Sequence, residues 1–529
     1  MSEPSDIPRD SKEPGLPPNP ILPIAPDVSL AWNIHLSGQA GGNPTAYIGD
    51  SLLLSMPTVE EAVSQLTGIG RVMGEQGLIL NATRLGVAAE PRDDGSAPRL
   101  EQVTAPIYKL EWTLAEDRPE PGGVEALDML VHLRHVHDGR FARGVRLNHI
   151  VVAANNISGV PYYVGVPYYV GVPHYVGVAS TPEASYGLPG TGGRAPVHLL
   201  IPDPARKPQR GERAPVIVVP DTGLGPHDWY GDPFSATEEA YVDGDLVNMP
   251  GQGPQLLGMK GPIPGCQVQE PVRNPLDGSI PPCAGHGTFI AGVIRQICPE
   301  ARILGIPVMT GDGVVAESCL LATLTALLHR QASALAAGND DELIDVLNLS
   351  LGYYHEAPED ELSDGPLRLL LEGFGRHGVL VTASAGNNGT TAPMFPAAFA
   401  VGPTDPGILP LVTVGAMNPD LRTIAYFSNQ GPWVSCFRPG AAVISTIPTN
   451  LIGARQTYAS QIYAGIERAT LNVDDFSGGF ASWSGTSFAA PVLAAQLAGY
   501  LRGSSSTDLS DRMKHAWKAL GNCLEWDRP

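Results

Sequence analysis

Three residues far apart in the chain have the types needed to turn a hydroxyl into a nucleophile. Ser487 lies in Ser484-Gly485-Thr486-Ser487-Phe488-Ala489-Ala490-Pro491, a turn that leads into an apolar helical run. His286 lies in Gly285-His286-Gly287-Thr288, at the head of another such run, and Asp221 ends the apolar stretch Val216-Ile217-Val218-Val219-Pro220. Singly, each has a plain structural use. A serine at a helix start is a cap, a carboxylate at a strand end closes a turn, and a histidine before a helix is a cap or a surface group. Together they supply what acyl transfer requires. A hydroxyl is a poor nucleophile at neutral pH unless an adjacent base takes its proton. An imidazole is that base, and a buried carboxylate fixes its tautomer and stabilises the imidazolium. A fourth element, Val381-Thr382-Ala383-Ser384-Ala385-Gly386-Asn387-Asn388-Gly389, runs from a strand into a polar turn. Asn-Asn-Gly is by itself an ordinary turn. Beside the other three, the Asn387 amide becomes a donor to a tetrahedral oxyanion, an interaction worth about 3–4 kcal/mol in comparable sites. The helix after Ser487 would aim further backbone donors at the same oxygen.

Those residues need a scaffold that brings strand ends and helix starts together. From Ala214 onward, strand-like runs at Val216–Val219, Ile303–Val308, Val346–Leu351, Gly378–Ala383 and Leu411–Ala416 alternate with helical patterns. The helices fall at Gly287–Gln296, Ser318–Leu335, Leu367–Arg376 and Thr486–Arg502. Continuous apolar strands separated by helices predict a parallel sheet covered on both faces. In such sheets ligands bind beyond the carboxyl ends of the strands, which is where the four candidate groups fall.

The chain order Asp, His, Ser is one of three unrelated orders used by such triads. Asp221-Thr-Gly, Gly285-His-Gly-Thr, Asn348-Leu-Ser-Leu-Gly, Ala385-Gly-Asn and Gly485-Thr-Ser-Phe-Ala-Ala-Pro resemble the motif set of the subtilisin-like serine peptidases. The resemblance covers roughly Ala214 to Arg502. It implies an α/β, three-layer fold with a mostly parallel sheet between helices, a catalytic domain over 214–529, and serine endopeptidase activity. It further implies Asp221 as orienting acid, His286 as general base, Ser487 as nucleophile and Asn387 as oxyanion donor, with Asn388 as the fallback. Ser350, Leu351 and Gly352 match the family's substrate-lining strand, whose backbone would pair with an extended peptide. Ser384, Ala385 and Gly386 would form the facing wall of the primary specificity pocket. The chain departs from the family pattern at Phe289, where many members have a second histidine, and at Phe488, which replaces a methionine open to oxidation. The interval between Asp221 and His286 carries an insertion, roughly Asp228 to Cys283, rich in Gly, Pro and acid. No calcium site is readable in it, and no cofactor is expected.

Upstream, residues 1–27 are rich in Pro and charge, with little to bury, and read as a disordered start. Residues 28–154 read as a small α+β domain. Leu30–Ile34, Ile107–Trp112 and Val145–Ala153 have strand character. One helix starts at Thr58, whose hydroxyl and Glu61 fit a capping box, and another runs near Val124–His135. By position this domain is similar to the family's propeptide, an inhibitor and folding aid. The alternative is a regulatory or substrate-recruiting domain that is never removed. Residues 155–213 form a Pro/Gly-rich linker with three hexapeptides, Val160-Pro-Tyr-Tyr-Val-Gly, Val166-Pro-Tyr-Tyr-Val-Gly and Val172-Pro-His-Tyr-Val-Gly. A proline every six residues excludes helix. The repeats read as a duplicated linker, or as a segment that lies in a peptide cleft or presents a cleavage site.

Composition excludes several classes. With 33 Lys and Arg against 54 Asp and Glu, the formal charge is −21, which repels nucleic acid. The first residues lack a signal pattern, and no apolar run reaches about 18 residues. The expectation is a cytoplasmic protein with no membrane partner, acting on a peptide or protein substrate and restrained by its own domain, by a regulatory partner or by narrow specificity. The six cysteines lack metal spacing and read as buried thiols, with Cys266–Cys283 the one candidate disulfide. No H-E-x-x-H or comparable metal-ligand spacing occurs. The missing G-x-S-x-G turn argues against an unrelated esterase, and His286 argues against an acid peptidase with a Glu base. A catalytically silent fold used as a peptide-binding scaffold is the remaining alternative.

Overall fold

The computed structural model describes residues 33–37, 45–86, 100–115, 124–153, 186, 193–207, 209–230, 246–249, 253–256, 278–358, 362, 365–400, 405–504 and 506–524. The Pro-rich start, the hexapeptide repeats, Cys266 and most of the insertion before His286 lie outside the described residues.

Six strands make one wholly parallel sheet. These are β5 (Val216–Asp221), β6 (Arg302–Pro307), β8 (Val346–Leu349), β10 (Leu380–Ser384), β11 (Leu411–Met417) and β12 (Cys436–Pro439), in the order β6-β5-β8-β10-β11-β12. Their Val- and Leu-rich runs are continuous because both faces are covered. On one face α3 (His286–Ile297), α6 (Thr486–Tyr500) and α7 (Leu509–Leu524) pack through Phe289, Phe488, Leu493 and Trp517. On the other, α4 (Glu317–Ala337) and α5 (Pro366–Arg376) pack through Leu320, Leu324, Leu370 and Phe374. Pro220 has no amide hydrogen. It is tolerated in central β5 because the pairs with β8 stop at Val218, leaving only β6 beside it.

A second sheet is antiparallel. Strands β1 (Thr45–Ser55), β2 (Leu78–Arg84), β3 (Ile107–Leu114) and β4 (Val145–Ala153) run in the order β4-β1-β3-β2. With α1 (Val59–Glu75) and α2 (Ala126–His135) between them, this is the split β-α-β-β-α-β arrangement. The Thr58 hydroxyl accepts from the Glu61 amide at 3.1 Å and starts α1. Leu52, Leu54, Ile69, Leu110 and Leu130 fill a core of their own under this sheet.

The second sheet does not end at β4. That strand also pairs, antiparallel, with β7 (Val314–Ala316) and with β9 (Leu351–Gly352). Val152 therefore lies opposite Val314 on one side and Gly352 on the other, and Ala153 opposite Leu351. A small apolar cluster of Ala46, Ile48, Ile150, Val314 and Ala316 seals the seam.

Several boundaries differ from the sequence reading. The expected strand Val346–Leu351 breaks at Ser350, because the Ser350 hydroxyl donates to the Ser487 carbonyl at 2.8 Å and turns the following residues toward β4. The strand expected from Gly378 starts at Leu380, since Gly378 adopts φ +72 where α5 ends. Of Leu30–Ile34 only the end is described, and a short strand Ile34–Ser37 pairs with β1. Among the described residues no helix is long and apolar enough to cross a membrane.

Candidate active site

Asp221 is the last residue of β5 and His286 the first of α3. The His286 Nδ1–H donates to Asp221 Oδ1 at 2.8 Å and lies 3.0 Å from Oδ2. Asp221 Oδ1 also accepts from the Thr222 amide at 2.7 Å. This contact depends on glycine. Gly285 takes φ +88 to bring the chain into α3, a conformation that costs side-chain-bearing residues dearly. A Cβ on Gly287 would stand 2.3 Å from the Gly223 carbonyl oxygen. The Gly287 amide instead donates to the Thr222 hydroxyl at 3.0 Å, locking the start of α3 to the end of β5.

Ser487 is the second residue of α6. Its hydroxyl donates to the Ser350 carbonyl at 3.3 Å, while the Ser350 hydroxyl returns the contact to the Ser487 carbonyl. Asn348 fixes Ser350 by donating from Nδ2 to its hydroxyl at 3.0 Å and accepts from the Thr382 hydroxyl. Asn387 Oδ1 accepts from both the amide and the hydroxyl of Thr486, each at 2.8 Å, so this side chain is tied to the residue before Ser487. The Thr486 hydroxyl also accepts from the Gly386 amide. Asn388, the fallback, turns away: its Oδ1 accepts from Tyr354. Ser384 and Ala385 are buried at the end of β10, and Gly386 takes φ +100 beside them. Leu351 and Gly352 pair with β4. Asp221, His286 and Ser487 are 1%, 0% and 0% exposed in the full chain.

Behind His286 stand Trp483 and Phe488, with ring centroids 5.7 and 5.3 Å from the imidazole. Phe289 packs on both, at 5.6 and 4.4 Å. The Phe289 and Phe488 departures thus fill one aromatic wall. Arg194, a residue the sequence reading passed over, completes it. Its guanidinium lies 4.9 Å over the Trp483 ring, a cation–π contact. It also donates to the carbonyls of Pro281, Pro282 and Ala284, immediately before His286. It is 2% exposed, and burial pulls its pKa down to about 10. The following residues, Ala195 and Pro196, pair with β13 (Phe480–Trp483), which leads into Ser487. No local pattern could have marked Arg194, because its partners are 87 to 90 positions away.

A second buried histidine lies where β4 meets the parallel-sheet region. His149 Nδ1 faces Glu317 Oε2 at 2.9 Å, and its Nε2 faces Glu356 Oε2 at 2.8 Å. Burial alone would lower its pKa, but the charge of Glu356 and the bonds to both carboxylates push it up to about 10. Burial likewise opposes ionisation of Glu356, yet His149 holds that carboxyl at about 2. Next to it, Asn148 Oδ1 accepts from the Ser318 amide at 3.0 Å, so β4 caps the start of α4.

Residues 266–518 match the model of the subtilase family. The match includes His286, Asn387 and Ser487 and begins after Asp221. The chain is 31% identical over 199 residues to the subtilisin-like protease het-Q2 of Podospora anserina, covering 35% of this chain and 50% of that protein. It is 29% identical over 212 residues to thermitase of Thermoactinomyces vulgaris, covering 37% of this chain and 61% of that one. A 24% match over 184 residues to the major intracellular serine protease of Bacillus subtilis covers 32% and 49%. The matches thus span about half the length of these curated relatives.

Proposed function

We propose that the protein is a serine endopeptidase that cleaves peptide bonds through an acyl-enzyme and is restrained by its own N-terminal sheet. The observation that carries the chemistry is the buried Asp221–His286 hydrogen bond beside an α6 start that presents Ser487. Ser487 Oγ attacks the scissile carbonyl carbon and its proton passes to His286 Nε2. Asp221, on Nδ1, holds the tautomer that leaves Nε2 basic and stabilises the imidazolium. The new oxyanion is taken by the Asn387 NH2 and by backbone amides at the start of α6. That role suits Asn387, because its carbonyl oxygen is already engaged by Thr486. His286 then gives its proton to the departing amine, and water repeats the cycle to release the acyl group.

The restraint rests on β4. An extended substrate would pair with Leu351–Gly352, and Val152 and Ala153 now pair there. They occupy the groove as a peptide would, so the N-terminal sheet blocks access while it stays docked. A cut that relieves this block falls after Ala153 and before Arg194, whose contacts hold the loop before His286. The cytoplasmic assignment is part of the same reading. Cys298, Cys319, Cys436 and Cys523 form no disulfide, as suits a reducing compartment, and one relative is named an intracellular protease.

Fluorophosphonate labelling tests the chemistry. The adduct should map to Ser487 and be absent from Ser487→Ala. Asn387→Ala should keep labelling but lose about 10²–10³ in kcat. A correctly folded wild type that never reacts, before or after trimming, would support the silent-scaffold alternative instead.

A further inference from the structure

We propose that His149, His355 and Glu356 form a binding site for a divalent cation of zinc's class, bridging β4 to the segment after β9. The ligand-type atoms of these three side chains all lie within 4.8 Å of one another. Glu356 Oε2 is 2.8 Å from His149 Nε2 and 3.5 Å from His355 Nδ1. Tetrahedral zinc with bonds of about 2.0–2.1 Å sets its ligand atoms about 3.3 Å apart. One of these pairs is already near that spacing and the other needs to open by about half an ångström.

The surroundings also fit a metal ligand set. Histidines that bind metal almost always give their other ring nitrogen to a carboxylate or carbonyl, which fixes the ring. Glu317 Oε2 does this at His149 Nδ1, 2.9 Å away, and turns Nε2 toward the cluster. Tyr353 steadies Glu317 from the other oxygen and stacks on His149, ring centroids 4.9 Å apart. Two imidazoles and one carboxylate suit zinc, with copper and nickel as competitors, whereas calcium and magnesium take oxygen ligands. The histidine side chains are buried and that of Glu356 is 14% exposed, which leaves a solvent side for entry and for a fourth, water ligand.

Binding exchanges one ion for one proton. The cation takes the place of the proton held between His149 Nε2 and Glu356, and that proton leaves to solvent. It also takes the His355 Nδ1 lone pair, which now accepts from the Ala357 amide at 3.0 Å, so that amide must give up this bond. The consequence is mechanical. His149 precedes the β4 residues that pair with β7 and β9, and His355 and Glu356 follow β9 closely. A bound ion would therefore pin β4 in the groove. The site does not depend on the peptidase reading; its effect on latency does.

The test uses the full-length chain carrying Ser487→Ala, which removes self-cleavage as a variable. The protein is stripped with a chelator and titrated with zinc chloride alone, by calorimetry in two buffers of different ionisation heat. One ion per chain and about one proton released are expected. Glu356→Gln and His355→Ala should each weaken binding by about 100-fold or more, and Glu317→Gln by about 10–100-fold. Circular dichroism checks that each variant is folded, and the near-isosteric Glu356→Gln decides the case should His355→Ala unfold. Calcium should not bind in zinc's place. Absence of stoichiometric uptake, or uptake unchanged in Glu356→Gln, would overturn the site. Zinc binding by a chain whose wild type shows no peptidase activity would leave the site standing and remove only the latency consequence.

Discussion

Two buried histidines in this molecule each meet a carboxylate through Nδ1 at nearly the same distance, 2.8 Å for His286 and 2.9 Å for His149. What surrounds the rest of each ring separates them. His149 has a second acid, Glu356, on Nε2, and its raised pKa keeps it charged across the neutral range. With an acid on each nitrogen, this ring has none left to face a reacting group. His286 is backed by Trp483 and Phe488 and stands at a helix start next to Ser487's helix. On the proposed reading, one histidine holds two parts of the chain together and the other moves a proton. The lesson is that a His–carboxylate contact defines neither role until the second nitrogen is accounted for.

The largest effect expected from breaking this contrast is at His286. His286→Ala should lower kcat by a factor on the order of 10⁶, as loss of a triad base does in related enzymes, while the urea midpoint moves little. A loss below about 100-fold would mean that His286 is not the base. The opposite pattern is expected at His149. In the Ser487→Ala background, His149→Gln leaves Glu317 and Glu356 without their cation, and breaking a buried pair in this way costs about 3–5 kcal/mol. Urea unfolding followed at the N-terminal sheet should report it, and a change under about 1 kcal/mol would reduce the pair to incidental contact.

Arg194 sharpens the comparison from the other side. Arg194→Met keeps bulk but leaves the Pro281, Pro282 and Ala284 carbonyls without their donor, a penalty of about 1–3 kcal/mol for each buried group left unpaired. With the loop before His286 loosened, kcat should fall roughly tenfold at nearly constant KM, and Arg194→Lys should restore part of it. A rise in KM alone would place Arg194 in substrate binding.

The smallest effect concerns a third histidine. Burial holds His227 below its usual pKa, with its Nε2–H on the Gly479 carbonyl. A depressed folded pKa means that its contribution is present above the unfolded value of about 6.5 and is lost as pH falls through the folded one. The thermal midpoint should therefore drop more steeply below pH 6.5 in wild type than in His227→Gln. Equal slopes would show that this ring does not titrate on unfolding.

The parallel sheet was readable because its strands are continuous apolar runs, and β5, β6, β8, β10 and β11 fall within about two residues of the sequence reading. The antiparallel sheet was harder. β1 carries Gly49-Asp50 in mid-strand, and its register shifts between Tyr47 and Leu52, which breaks the alternation that marks a strand. The hairpin Ser460–Tyr463 and Ile466–Ala469 is exposed throughout, so it has no buried face to leave a pattern. α7 follows a Ser-rich stretch and went unmarked despite its buried Met513, Trp517 and Leu520. For the site, motifs singled out Asp221, His286, Asn387 and Ser487, since catalytic turns need glycines at fixed offsets. His149 and Arg194 sit in no such turn. The partners of His149 are 168 and 207 residues away, and only the folded chain brings them together.

The most direct measurement is a time course of intact mass for wild type and Ser487→Ala in the same neutral buffer. The account predicts that wild type acquires a cut between residues 154 and 193 and then turns over peptides, while Ser487→Ala stays whole until a trace of trimmed wild type is added. Identical fragmentation of both chains, or an uncut wild type with the N-terminal sheet docked that turns over peptides at full rate, would contradict it.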